Sequence, residues 1–520
     1  MLYYKMLKIF NGLYFLFIGF SVISSSAQNR RYIDPVFNEV EVTNPVELAQ
    51  NYSIIEWIKT GGTAHTLKQS LVAKFYTPKG DTKSDRPLII YVHTGNFSPY
   101  PVNGLCSGTL TDSSNVEIAT RLAKMGYVVA VVNYRQGWNP FQQNTLTKRF
   151  SLINALYRSI QDINTYIRYF RKSVDEFNNP YGINPSQITV WGDYTGGSIA
   201  LTAAYLKSFA EFHSPNDPDK FLLPTPTGNV SMITENYTGN IYGDGSISIV
   251  DESYHILTGL QKGDTLCIPN HMGYPSDFAL VVNMGGALAD SSWLDAGDVP
   301  LIAYHVFNDV LIPCDTYEYP IPFMTPTMET SGSCDLAKIA DNFGNNDIFK
   351  NIPADEDPFG KHNKSEYPGF YSFFNTPDYS SLPWLWAASA NTTGGATGCN
   401  TNRTTAKMYI DTIVGYFAPR ACVALGLNCD FNSSVKDLSD SNVNLKMSPN
   451  PATTDISITV SDETPIKSFA VFDISGRIVR NYNNVNSSLV TLKRESLQNG
   501  LYLVRMQFEG GTLTKKVIFE

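Results

Sequence analysis

From Leu71 onward the chain alternates short apolar runs with longer stretches of helical spacing. The runs LVAKFYTP, RPLIIYVH, YVVAVVNY and QITVWG are rich in β-branched residues and nearly continuously apolar, the pattern of parallel strands buried on both faces. Between them, Val116 to Lys124 and Ala155 to Phe170 carry helical periodicity, the second with Leu156, Ile160, Ile163, Ile167 and Phe170 on one face. Two later runs, Phe278 to Met284 and Pro300 to Val306, read as further strands. The order of strand, strand, loop, helix, strand, helix, strand, sharp turn and helix predicts an α/β protein with a mostly parallel sheet covered on both faces.

The pattern changes twice more. FNSSVKDLSDSNVN, residues 431–444, is polar and rich in Ser and Asn, as a linker is. Beyond it the period becomes two: Ile456, Ile458 and Val460, then Phe469 and Val471, then Tyr502, Val504, Met506 and Phe508 alternate with polar residues before a Gly510-Gly511 turn. Short strands with no helix between them predict a small all-β sandwich over residues 445–520. At the other end, Lys5 and Lys8 precede the apolar run Ile9 to Ile23, and Ser25-Ser26-Ala27 supplies small residues at a cleavage site. Residues 1–27 therefore read as a signal peptide, leaving 28–430 for the α/β domain. No other segment is apolar for long enough to span a bilayer, so no membrane span is expected after cleavage.

Composition narrows the function class. The net charge of -9 and the lack of a Lys/Arg stripe exclude nucleic acid as a partner, because nothing neutralises phosphates. Seven cysteines in an exported chain point to disulfides, with at least one thiol left over. Cys314 with Cys334 and Cys422 with Cys429 are close enough in sequence to pair. A Cys-x-x-Cys pair is lacking, and no cofactor or metal is expected. The loop NIYGDGSISIVD places Asn240, Asp244, Gly245 and Asp251 at calcium-loop spacing, but Tyr242 stands where a ligand is needed.

The C-terminal segments Met447-Ser448-Pro449-Asn450-Pro451, Asp473-Ile474-Ser475-Gly476-Arg477, Leu497-Gln498-Asn499-Gly500-Leu501-Tyr502 and the terminal KKVIFE resemble, in order, the type A sorting domain of the type IX secretion system of Gram-negative Bacteroidota. That resemblance implies export through the periplasm to the surface or the medium, with the type IX machinery as partner of residues 445–520. RPLIIYVHTGNF, IATRLAKMGYVVAVVNYRQG, YGINPSQITVWGDYTGG and VPLIAYHVFNDVLIP resemble, in family order, the α/β-hydrolase superfamily, specifically its secreted carboxylesterase- and lipase-like members. This resemblance spans about Leu71 to Leu427 and implies an α/β-hydrolase fold.

Carried onto this chain, the nucleophile elbow G-x-S-x-G becomes Gly192-Asp193-Tyr194-Thr195-Gly196, with Tyr194 where the serine belongs. A phenol of pKa near 10 on a long rigid arm is a poor substitute for a hydroxyl activated by histidine. The oxyanion loop corresponds to His93, Thr94, Gly95 and Asn96, with the backbone N–H of Thr195 as second donor. Asp309 matches the triad acid and His362 is the histidine that follows it in the chain, while His305 reads as structural. Ser198, one turn beyond Tyr194, is expected to face the helix–sheet contact, and Ser107 lacks elbow geometry. Tyr367, Phe370, Tyr371, Phe373, Phe374, Tyr379, Trp384 and Trp386 form an aromatic cluster that either packs a long loop or lines a cleft. Three functions remain open: a catalytically impaired, ligand-binding pseudoenzyme; a carboxylic-ester hydrolase with an atypical nucleophile; and a surface carbohydrate-binding or adhesion protein. A small ester or a carbohydrate is the expected ligand.

Overall fold

The computed structural model describes residues 30–105, 107–140, 142, 144–318, 328–374, 381–386, 399–400, 402–429, 431, 438–473, 478–482, 485–508 and 511–520. The signal peptide over 1–27, residues 432–437 of the linker, Cys106, Tyr379 and the Ile474–Arg477 part of the sorting motif lie outside the described residues.

A nine-stranded sheet carries the first domain. Its strands are β1 (Val40–Val42), β2 (Val46–Ser53), β3 (Leu67–Pro78), β4 (Arg86–Val92), β5 (Val128–Val132), β6 (Ile183–Asp193), β7 (Leu280–Met284), β8 (Leu301–Val306) and β9 (Phe370–Phe373). They run in the order β1-β3-β5-β4-β6-β7-β8-β9, with β2 also on β3. β1, β2 and β5 pair antiparallel with β3, whereas β4 to β9 and β5 are mutually parallel. Chain direction across the sheet reverses around β4, so the loops after β4 and β6 open onto a switch point, where ligands of open α/β sheets bind.

Alternation within the buried strands divides the core. Leu88, Ile90 and Val92 of β4 point to one cluster with helices α2 (Thr145–Glu176) and α3 (Thr195–Tyr205). Ile89 and Tyr91 point to a second, shared with α1 (Ser113–Lys124) and α6 (Arg403–Ala424). Two further helices, α4 (Glu252–Thr258) and α5 (Ser333–Asn342), lie on the long excursions between strands. α2 is twice as long as the apolar stripe predicts. It begins at an Asn144 side chain that accepts the Leu146 N–H, and it continues through polar residues that are themselves buried. α6 escaped the sequence pattern because its apolar residues surround it instead of forming one stripe, and Pro419 lies inside it.

The tail is all-β, as expected. β11 (Lys446–Ser448), β12 (Ile456–Thr459) and β15 (Leu489–Leu492) form one antiparallel sheet; β13 (Ser468–Phe472), β14 (Ile478–Tyr482), β16 (Gly500–Phe508) and β17 (Gly511–Phe519) form the other. Ile456, Ile458, Phe469, Val471, Val504 and Met506 make its core, the period-two positions of the sequence. A short strand of the first domain, β10 (Leu382–Trp386), bears on the site below.

Candidate functional site

Tyr194 is the single residue between β6 and α3, with φ 53° and ψ -104°. For a bulky side chain that is a sparsely populated conformation costing about 1–3 kcal/mol. The turn is held by its surroundings: the Tyr194 N–H donates to the Met284 carbonyl at 2.7 Å, and the Ser198 N–H donates to the Tyr194 carbonyl at 3.0 Å. The two flanking glycines are required by close approach. A Cβ on Gly196 would lie 2.0 Å from the Val92 carbonyl oxygen, and one on Gly192 would lie 1.9 Å from the Gly196 oxygen.

The elbow therefore forms, but its side chain is committed elsewhere. Tyr194 is 2% exposed and belongs to the second core, with Met284, Val306 and Trp384. Its ring lies against Gly285, where an added Cβ would meet Cδ2 at 3.4 Å.

The oxyanion loop is likewise engaged with itself. The Asn96 N–H donates to Thr195 Oγ1 at 2.9 Å, and Asn96 Nδ2 donates to the Asn103 carbonyl. Gly95, Asn96 and Phe97 all have positive φ, so the loop turns sharply over the elbow. The Thr195 N–H, at the first position of α3, has no acceptor within its helix and is the remaining backbone donor of the pair. His93 is buried, donates through Nδ1 to the Thr94 carbonyl and stacks on Tyr134 at 4.9 Å; burial pushes its pKa down, so it is neutral.

Beside the loop is a small cleft of about 40 Å³ whose walls include Asn96, Phe97, Trp138, Thr195, Ser198 and Ala287. Ser198 thus borders the cleft, contrary to expectation. Residue i+4 after the elbow falls on the side of α3 that faces Ala287, whose N–H donates to Ser198 Oγ at 3.0 Å.

Asp309 follows β8 in a loop stapled to α5 by the Cys314–Cys334 disulfide. Its Oδ1 accepts from the N–H groups of Leu311 (2.7 Å) and Ile312 (2.9 Å) and from Ser381 Oγ, while the buried Oδ2 has no partner among the described residues. Burial pushes this carboxyl up to about 7, against the pull of those hydrogen bonds. Asp193 behaves alike: its Oδ1 accepts from Trp384 Nε1 at 2.9 Å, its Oδ2 has no partner among the described residues, and burial raises it to about 7. Sequence reasoning passed over Asp193, although its place beside the elbow residue was a signal.

None of Asp309's hydrogen bonds comes from His362. That histidine is exposed, in a short 3-10 turn ending at Asn363. Asn363 Nδ2 donates to the carbonyl of Phe370, which is in register with Ala303, three residues before Val306 and about 10 Å back along the strand from the acid loop. His305 is structural: Nε2–H donates to the Ile312 carbonyl and Nδ1 accepts from Ser333 Oγ, both at 2.7 Å, and burial lowers it to about 4. The structure thus brings together Tyr194, the oxyanion loop and Thr195; it does not join Asp309 to a histidine. Of the aromatic cluster, Phe373, Trp384 and Trp386 are buried in the second core, with Tyr371 packed against it; Phe370 is buried in the first core, with Tyr367 packed against it, and Phe374 is exposed. Asp251 of the calcium-like loop caps α4 and Asp244 bonds Asn240.

Residues 74–238 match the BD-FAE family, and residues 446–520 match the secretion system C-terminal sorting domain family. The chain thus carries an esterase-like α/β-hydrolase domain match and a type IX sorting tail. No curated protein matches it. Among solved structures, this chain is similar to a propionate-bound thermophilic esterase from the planctomycete Thermogutta terrifontis, at 13% identity over 67% of this chain and 91% of that one, TM-score 0.33. It is also similar to a truncated carbohydrate esterase from gut microbiota, at 15% identity over 74% and 98%, TM-score 0.33. The sorting tail marks the protein as secreted or displayed at the cell surface. No helix among the described residues is long and apolar enough to cross a membrane.

Proposed function

We propose that the hydrolase domain is a catalytically impaired relative of carboxylesterases that binds a ligand instead of turning it over, and that residues 445–520 deliver it through the type IX machinery. The observation that carries this reading is the elbow: its central side chain is a buried tyrosine packed in the second core, and the acid two loops away holds no imidazole. Acyl transfer needs a nucleophile, a base within hydrogen-bond reach and an orienting acid. Loss of the nucleophile or the base in a related triad costs roughly a million-fold in turnover, about 8 kcal/mol of barrier. What persists is a backbone donor at Thr195 and a cleft at the switch point, which suit binding of a carbonyl or carboxylate oxygen.

The test is hydrolysis of p-nitrophenyl acetate and butyrate by the purified protein, alongside Tyr194→Phe. Rates at background for both support the proposal. Turnover above about 1 per second in the parent, unchanged in Tyr194→Phe, overturns it and places the chemistry at another residue.

A further inference from the structure

The N-terminal half of α2 separates the elbow cleft from a second one. Leu152, Ile153 and Leu156 face the first; Thr147, Phe150, Ser151, Asn154 and Arg158 face the second. The two clefts have no lining residue in common. The second measures about 100 Å³, several times the roughly 10–15 Å³ that admits one water, and its other walls are mainly apolar, among them Ile54, Trp57, Leu257, Leu260 and Leu266.

Arg158 is the anomaly in that apolar wall. It is 6% exposed, and its Nε and Nη2 are buried without a hydrogen-bond partner among the described residues. The nearby carboxylate, Asp162, is already spent: it takes the Arg135 N–H at 2.7 Å and Arg135 Nε at 2.8 and 3.1 Å. Arg135 directs its remaining donors to the carbonyls of Leu266 and Arg158 and to Gln161. Two buried guanidinium groups thus share one carboxylate, and the charge of Arg158 is unmatched. Burial and the repulsion of Arg135 lower its pKa only to about 10, so it stays cationic at neutral pH. The chain also makes room for it: Gly137 has φ 145°, and a Cβ there would lie 2.7 Å from Arg158 Nη2. An unpaired buried cation costs several kcal/mol and is out of place in an apolar wall unless something completes it.

We propose that this cleft is a binding site for a small monocarboxylate with an apolar body, whose carboxylate pairs with the Arg158 guanidinium. The guanidinium fork matches carboxylate geometry, and one negative charge neutralises the one unmatched positive charge. A phosphate monoester would bring more charge than Arg158 offsets, and the side-chain donors of Thr147, Ser151, Asn154 and Thr258 at the cleft already go to main-chain carbonyls. The site is distinct from the elbow, so it stands whether or not the protein hydrolyses esters.

The experiment is calorimetric titration of the full chain with butyrate, hexanoate and phenylacetate, with hexanamide and hexanol as uncharged controls. The expected result is one-to-one binding of at least one acid with a submillimolar Kd, and at least tenfold weaker binding of the controls. Arg158→Met should weaken the acid at least tenfold, Arg158→Lys less so, and the unliganded Met variant should melt no lower than the parent because a buried unpaired charge is gone. Leu257→Trp, which fills the cleft and leaves Arg158 in place, should also abolish binding and serves if the Met variant does not fold. Failure of all three acids to bind at 10 mM, equal binding of hexanamide, or binding that survives both the Met and Trp variants overturns the proposal.

Discussion

Tyr194→Ser restores the letter of the elbow motif and tests how much else is missing. The ring it removes is 2% exposed, belongs to the second core with Met284, Val306 and Trp384, and lies against Gly285. An aromatic side chain buries about 150–250 Å², worth about 4–6 kcal/mol at roughly 25 cal/mol per Å². Measured truncations of buried aromatics cost about 3–5 kcal/mol. Serine does not relieve the positive φ, so little is returned. The variant should lose about 3–5 kcal/mol, which for a domain of this size is a fall in melting temperature of roughly 3–10 °C. Tyr194→Gly, which loses the same ring but tolerates φ 53°, should be less destabilised than serine by about 1 kcal/mol. Differential scanning fluorimetry gives the stability and p-nitrophenyl butyrate the activity. Because no histidine bonds Asp309, the serine variant should stay within about tenfold of the parent rate. A gain of a thousandfold or more in kcat/KM would refute the view that the base is absent, and an unchanged melting temperature would refute the packing of the ring.

Other consequences are testable in the same preparations. Asp193 and Asp309 have folded-state pKa values near 7, above the ordinary carboxylate value, so the folded state binds more protons between about pH 4 and 7 and stability falls as pH rises through that window. Asp193→Asn, which keeps an acceptor for Trp384, should flatten the fall in melting temperature between pH 5 and 8; an identical pH profile in the variant would contradict it. Replacing Cys314 and Cys334 together by serine opens the link between the acid loop and α5 and should cost about 3 kcal/mol, read as a lower melting temperature and a smaller further fall on adding reductant than the parent shows. Deleting residues 445–520 should leave the protein in the periplasm of a type IX-competent host, and its normal appearance in the medium would refute the sorting role.

The parts of this protein that follow from local pattern were legible in the chain. Strands β4 to β8 announced themselves because burial on both faces leaves no room for polar alternation, and the tail strands because burial on one face enforces it. The elbow was legible for a steric reason: only glycine fits at 192 and 196, whatever stands between them. Less legible was anything set by long-range meeting. α6 lacks a single apolar stripe, the start of α2 depends on an Asn144 cap, and whether His362 reaches Asp309 depends on where a polar loop returns to the sheet. The two local disulfides, Cys314–Cys334 and Cys422–Cys429, formed as their spacing allowed, while Cys267 is a buried free thiol.

The glycines at the crossing of α3 over β4 have a consequence beyond this site. Gly196 lies so close to the Val92 oxygen, and Gly192 to Gly196, that any heavier side chain forces α3 off the ends of the central strands β4 and β6 regardless of what chemistry goes on there. The spacing that signals a hydrolase is therefore a signature of how two pieces of backbone cross, and it can outlive the reaction. A search keyed to those glycines finds scaffolds; only the side chain between them, and the groups within its reach, distinguishes a working enzyme from a receptor built on the same frame.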